Sequence, residues 1–191
     1  MRTFSFVLVL DLRPSEIEAV ADRLFEAGCD DATPSATGGR VLLDFDRDAV
    51  SAQEAILSAI EQVESTGLRV SRVEPNTLVT ISEIARRVGR SDESVRLLAE
   101  GKRGDGSFPR PAQGGGEGWR LWQWAEVSAW FAARSSDDVA ERLAEESVFS
   151  HLIAAINASL LLRAPATSPG LAQALLRRLA PQLLLHPAVP A

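Results

Sequence analysis

Residues 79–98 read VTISEIARRVGRSDESVRLL, and the spacing within this run is that of two short helices joined by a bend. Thr80 and Glu83 stand as in a capping box, where each side chain satisfies a backbone N–H at the start of a helix. The helix they open turns Ile84, Ala85 and Val88 inward and stops at Gly89, because glycine enters the left-handed backbone of a tight turn without steric cost. Ser91 is placed to cap a second helix, whose inward residues are Val95 and Leu98. Two steeply crossing helices need a small residue where they touch, a glycine at the bend and an apolar contact after it. Ala85, Gly89 and Val95 supply these three, so the run predicts a helix-turn-helix.

Downstream, Phe108-Pro-Arg-Pro111, the glycine-rich stretch 114–118 and Trp119 to Trp124 predict a hairpin wing, its proline-bearing strand on an edge. Ala125 to Ala133 then predicts a helix that packs Val127, Trp130 and Phe131 on the core. With these residues in view, the run 79–98 resembles the DNA-binding head of the mercury-resistance (MerR) regulators. Gly118-Trp-Arg-Leu-Trp122 followed by Glu126-Val127 is similar to that family's Gly-Tyr-Arg-x-Tyr wing and the acidic-aliphatic start of its next helix. Phe108-Pro-Arg-Pro111 is closer to excisionase and AlpA-type proteins. The resemblance spans residues 76–134 and implies a winged helix-turn-helix that binds double-stranded DNA without a cofactor. Arg90 stands where the family usually has an apolar residue, and Leu97 and Leu98 replace two aromatic residues, so no target sequence is carried over.

On a helical wheel with Val95 inward, Glu93, Arg96, Leu97 and Glu100 point outward. Arg96 suits a guanine edge or a phosphate, and Glu93 suits cytosine N4 in the major groove. Ser91 and Ser94, at the start of the same helix, join the candidate face. Arg86, Arg87, Arg90, Lys102, Arg103, Arg110 and Arg120 surround it as candidates for phosphate contact, which supplies affinity without choosing sequence. The charge distribution agrees: residues 76–134 hold 9 basic against 7 acidic side chains, although the chain as a whole carries -6.

Upstream, residues 1–75 hold 7 arginines against 14 acids, a net of -7 that repels phosphate and points to a partner protein or small effector. Their pattern is strand (Thr3 to Leu10), helix (Pro14 to Ala27), weak strand (Ala32 to Thr37), strand (Arg40 to Phe45), helix (Ser51 to Ser65) and strand (Leu68 to Val73). This βαββαβ order predicts an α+β, ferredoxin-like sandwich, with Pro34 confining its own strand to a sheet edge. The helices should bury Ile17, Val20, Ala21, Leu24 and Phe25 in the first, and Ala55, Ile56, Ala59, Ile60 and Val63 in the second.

From Ser135 onward the chain reads as a helical tail. Asp137 to Leu162 carries Val139, Leu143, Phe149, Leu152, Ile153, Ile156 and Leu160 in a near-heptad stripe, expected to dimerise because neither globular unit offers it a place. A linker at 164–170 and a helix from Leu171 to Leu185, interrupted by Pro181, follow.

Other chemistries find little support. Cys29 is the single cysteine and only His151 and His186 accompany it, so metal-ligand spacing is absent. Asp44, Asp46 and Asp48 alternate along one strand, but Asp11 falls at the opposite end of the antiparallel neighbour, too far for a two-metal site. The stretch 114–118 lacks the Lys-Ser/Thr of a phosphate loop, and Trp119, Trp122, Trp124 and Trp130 read as packing residues. With no membrane span or signal peptide, and arginine almost wholly replacing lysine, the chain reads as a cytoplasmic protein of a high-GC bacterium. The expectation is a non-enzymatic, homodimeric transcriptional regulator, since paired heads read paired half-sites. The rival is an antitoxin or adaptor whose acidic unit and helical tail bind a partner protein.

Overall fold

Long alternating strands and amphipathic helices assemble the first half of the chain into an α+β layer with an antiparallel sheet. The structure, a computed structural model, describes residues 1–114 and 119–163 together with 170, 171, 174, 177 and 178. Strands β1 (Arg2–Leu10), β2 (Ala32–Thr37), β3 (Arg40–Ala49) and β4 (Val70–Glu74) lie in the order β2-β3-β1-β4. Helices α1 (Glu18–Glu26) and α2 (Ala52–Ser65) complete the expected order of elements. Pro34, which has no N–H to give a second neighbour, sits on the edge strand β2.

Strand alternation puts Phe6, Leu8 and Leu10 of β1 and Val41, Leu43 and Phe45 of β3 in one apolar core. Phe6 and Phe45 are register partners with stacked rings 5.3 Å apart. All five residues predicted to face inward from α2 are buried, and Ser51 caps that helix by accepting the Glu54 N–H at 3.2 Å. In α1 only Val20 and Leu24 are buried; Phe25, one step farther round the helix, is 68% exposed. The third strand runs four residues beyond Phe45, because Arg47 finds partners inside: Nε and Nη2 reach the Asp31 carboxylate at 2.7 and 2.8 Å, and Nη2 reaches the Gly28 carbonyl at 3.1 Å. A paired guanidinium tolerates burial that an isolated one does not. The buried Cys29 packs in this core, and burial pushes its thiol up while nearby Arg47 opposes the shift.

A second core forms around two short strands, β5 (Leu78–Val79) and β6 (Trp122–Gln123), and helices α3 (Ile81–Val88), α4 (Asp92–Ala99) and α5 (Trp124–Ala132). Helix α6 (Asp137–Leu162) belongs to both cores. Its Leu143 is buried with Val79, Ile84, Val95 and Phe131, whereas Ile153, Ile156 and Leu160 are buried with Leu8 and Val73 of the sheet. Asn157 accepts the Val73 N–H at 2.7 Å and donates to the Val73 carbonyl at 2.9 Å, closing part of the free edge of β4. Arg2 grips Glu145 through two hydrogen bonds of 3.1 and 2.8 Å, and Arg163 grips Glu64 through two of 3.1 and 2.9 Å. The premise that this stripe has no place in either globular unit is therefore corrected: most of it packs within the chain, leaving Val139 exposed.

Of the predicted linker 164–170, residues 164–169 lie outside the described residues, as do Pro181 and His186, and Gly170 is helical. Of the predicted helix 171–185, Leu171, Ala174, Arg177 and Arg178 are described, each helical. Among the described residues no helix is long and apolar enough to cross a membrane.

Candidate nucleic-acid interface

Local signals in the run 79–98 fold as their chemistry requires. Thr80 accepts the Glu83 N–H at 3.2 Å, and the Glu83 carboxylate accepts the Thr80 N–H at 3.0 Å. Gly89 ends α3 at φ 65°, and Ser91 opens α4 by accepting the Ser94 N–H at 3.2 Å. Ile84, Ala85, Val95 and Leu98 are buried between the helices, so the opposite side of α4 is presented outward.

That side carries Glu93, Arg96 and Glu100, all exposed, with Leu97 half-buried beside them. Glu93 and Arg96 form an ion pair one turn apart on the helix. Arg103 reaches the Ser94 hydroxyl at 3.3 Å, and Lys102 pairs with Glu100 at 2.8 Å. Lys102 holds the Glu100 carboxyl below its ordinary value by a hydrogen bond, and the charges of Arg96 and Arg120 add to the effect. Arg96, Lys102, Arg103 and Arg120 thus converge on the outward face of α4. An exposed pair such as Glu93–Arg96 contributes about 0.2–0.5 kcal/mol.

The other candidate cations divide. Arg86, Arg90 and Arg110 are exposed, with the Arg90 guanidinium 5.3 Å from the Phe131 ring centre. Arg87 turns away from the α4 face: it is half-buried, 4.8 Å over the Trp124 ring, and burial lowers its pKa from the ordinary arginine value. Among the phosphate-contact candidates it is stacked on α5 instead of standing free on the surface.

The predicted wing tip at 115–118 lies outside the described residues, and among the described ones the hairpin pairing is shorter than predicted. Phe108 is buried outside any strand, and Trp122–Gln123 pairs with Leu78–Val79. Gln113 and Leu121 make one antiparallel bridge, with N–O distances of 3.2 and 3.0 Å. Packing overrides the hairpin pattern here: Trp122 is fully buried and gives its indole N–H to the Pro109 carbonyl at 3.1 Å. Gly114 is required at the bridge, because a Cβ there would lie 2.0 Å from the Trp119 carbonyl oxygen. Arg120 follows, its guanidinium 5.6 Å over the Trp122 ring. Trp119, expected to pack, is 67% exposed.

One residue outside the predicted set shapes this region. Arg134 lies 4.1 Å over Trp130, donates to Asp105 at 2.9 Å and to Ser107 at 2.8 Å, and so ties down the loop after α4. The acids of β3 take a different role: Asp48 and Asp46 accept the hydroxyls of Thr3 and Ser5 at 2.6 Å, and Asp44 accepts that of Ser35 at 3.2 Å. They share one exposed face of the sheet, and Ser5 is opposite Asp46 in the register, far from Asp11. Among the described residues no group of three His, Cys, Asp or Glu side chains is arranged to hold a metal ion. No family model, curated protein or solved structure matches this chain.

Proposed function

We propose that the chain is a sequence-specific double-stranded DNA-binding regulator: a ferredoxin-like sandwich joined to a winged helix-turn-helix of the MerR and excisionase kind. The observation that carries this reading is the convergence of Arg96, Lys102, Arg103 and Arg120 on the outward face of a helix whose inner face is buried against α3. In the reading α4 enters the major groove, Glu93 and Arg96 meet base edges, and Arg120 rests on the backbone beside it. A homodimer presents two such heads, through a surface other than the stripe of α6 that the chain itself buries.

Selection of duplexes from a randomised library by the full chain, at two salt concentrations, tests it. A sharp enriched motif whose binding weakens with salt is expected. A folded protein that enriches nothing overturns the reading.

A second reading, an adaptor that grips a partner protein, is favoured by Asp44, Asp46 and Asp48 sharing one exposed sheet face. Co-purification of one stoichiometric partner, lost on Asp44→Asn with Asp46→Asn, distinguishes it.

A further inference from the structure

A cavity of about 300 Å³ opens where the chain passes from the sheet to the helices. Arg86 and Arg87 of α3 meet Trp124 of α5 there, across from Phe149, Ser150 and Ile153 of α6. Two groups in its walls have no hydrogen-bond partner among the described residues. The half-buried Arg87 guanidinium stands 4.8 Å over the Trp124 ring and has no hydrogen bond or ion pair among the described residues. The carboxylates within its electrostatic reach are committed elsewhere. Glu146 accepts the Trp124 indole N–H at 3.1 Å on one oxygen and pairs with Arg142 on the other, while Glu83 serves the cap of α3. The second group is the hydroxyl of Ser150, a residue 5% exposed, which is buried with no hydrogen-bond partner among the described residues. An unmet buried hydroxyl is unfavourable, a half-buried guanidinium without a hydrogen bond has donors to spare, and one anion held clear of Glu146 in the same wall serves both.

We propose that this cavity binds a small organic acid, its carboxylate taken by Arg87 and Ser150 with Arg86 at the mouth. A guanidinium fork matches a carboxylate with two parallel hydrogen bonds, which a point charge does not. The organic part follows from the other walls: Pro75, Phe149 and Ile153 offer apolar surface that a bare inorganic anion leaves unused. The walls come from the segment after β4 and from α3, α5 and α6, so the bound acid touches the helix that both cores share.

The probes are benzoate, indole-3-acetate and inorganic phosphate, titrated into the full chain while amide and indole N–H resonances are followed. The Trp124 indole is assigned through Trp124→Phe. At least one organic acid should shift that indole and the Ser150 amide saturably, and more tightly than phosphate does. Arg87→Lys keeps the charge but removes the fork, and should weaken binding by about tenfold or more. Ser150→Ala deletes the unmet hydroxyl, so it should leave the free protein at least as stable yet weaken the acid several-fold. Ser150→Ala decides the matter alone if Arg87→Lys does not fold. No saturable shift with either acid, equal binding of phosphate, or affinities unchanged in the folded variants would each overturn the proposal. None of these measurements involves DNA, so the site stands or falls separately from the regulator reading.

Discussion

The side-chain amide of Asn157 meets both the N–H and the carbonyl of Val73, a helix residue standing where a neighbouring strand would otherwise pair. Val73 is fully buried, so water does not replace these bonds. Asn157→Leu keeps a similar volume but leaves two backbone groups unmet, and should cost about 1–3 kcal/mol for each. Urea denaturation measures this, and an unchanged midpoint would show that the edge is satisfied otherwise.

Truncation after Arg134 should do more than remove a tail. Leu143, Ile153, Ile156 and Leu160 are all buried, and full burial of such side chains contributes about 1.5–3 kcal/mol each, roughly 6–12 together. A domain's whole stability is about 5–15 kcal/mol. The truncated chain is therefore expected to lose cooperative unfolding and near-ultraviolet circular dichroism; retention of a native melting transition refutes this.

Positioning and readout should separate at the helix α4 face. Arg120→Ala is expected to weaken DNA binding nearly uniformly across sequences and to lower the salt slope by about one contact. Glu93→Ala and Arg96→Ala should shift preference at a defined base position by about 1–3 kcal/mol. Library selection with the three variants checks both halves, and a changed motif in Arg120→Ala alone would put the readout on the wing.

Asp105 gives a prediction in pH. The Ser107 hydroxyl, then Arg134 and the Ser107 N–H at 3.0 Å, hold its carboxyl well below the usual carboxylate range. A folded value below the unfolded one means that the stabilisation is complete above the ordinary aspartate value and disappears as pH falls through the lowered one. Carboxyl carbon resonances should show Asp105 titrating last among the aspartates as acid is added. Ser107→Ala and Arg134→Gln should each raise the midpoint, and an ordinary midpoint in the native protein would contradict the geometry.

What was legible in the sequence divides by distance along the chain. Thr80 with Glu83, Gly89, and Ser91 with Ser94 act across one to three residues, and their spacing declares the helix ends directly. The succession of strands and helices along the first 75 residues was legible too, the strand at Ala32–Thr37 only weakly, with Pro34 marking it for an edge. Arg87 shows the limit. Its position on α3 is consistent with solvent or packing, and only the arrival of Trp124 beneath the guanidinium decides between them. The stripe on α6 was visible as a stripe, but its cover comes from Val79 and Leu8, which no local periodicity connects to Leu143 or Ile153. Likewise, Arg47 extends β3 against its charge because Asp31 meets it from another part of the chain.

The dependence of both halves on α6 also sets a schedule for synthesis. Asn157 is made 84 residues after the strand edge it covers. At roughly 5–20 residues per second, the nascent chain therefore carries an open β4 edge for about 4 to 17 s before its cover is translated. During that interval two neighbouring chains on one messenger present the same unpaired strand to each other, so the hazard of mispairing rises with the density of ribosomes and falls once α6 emerges.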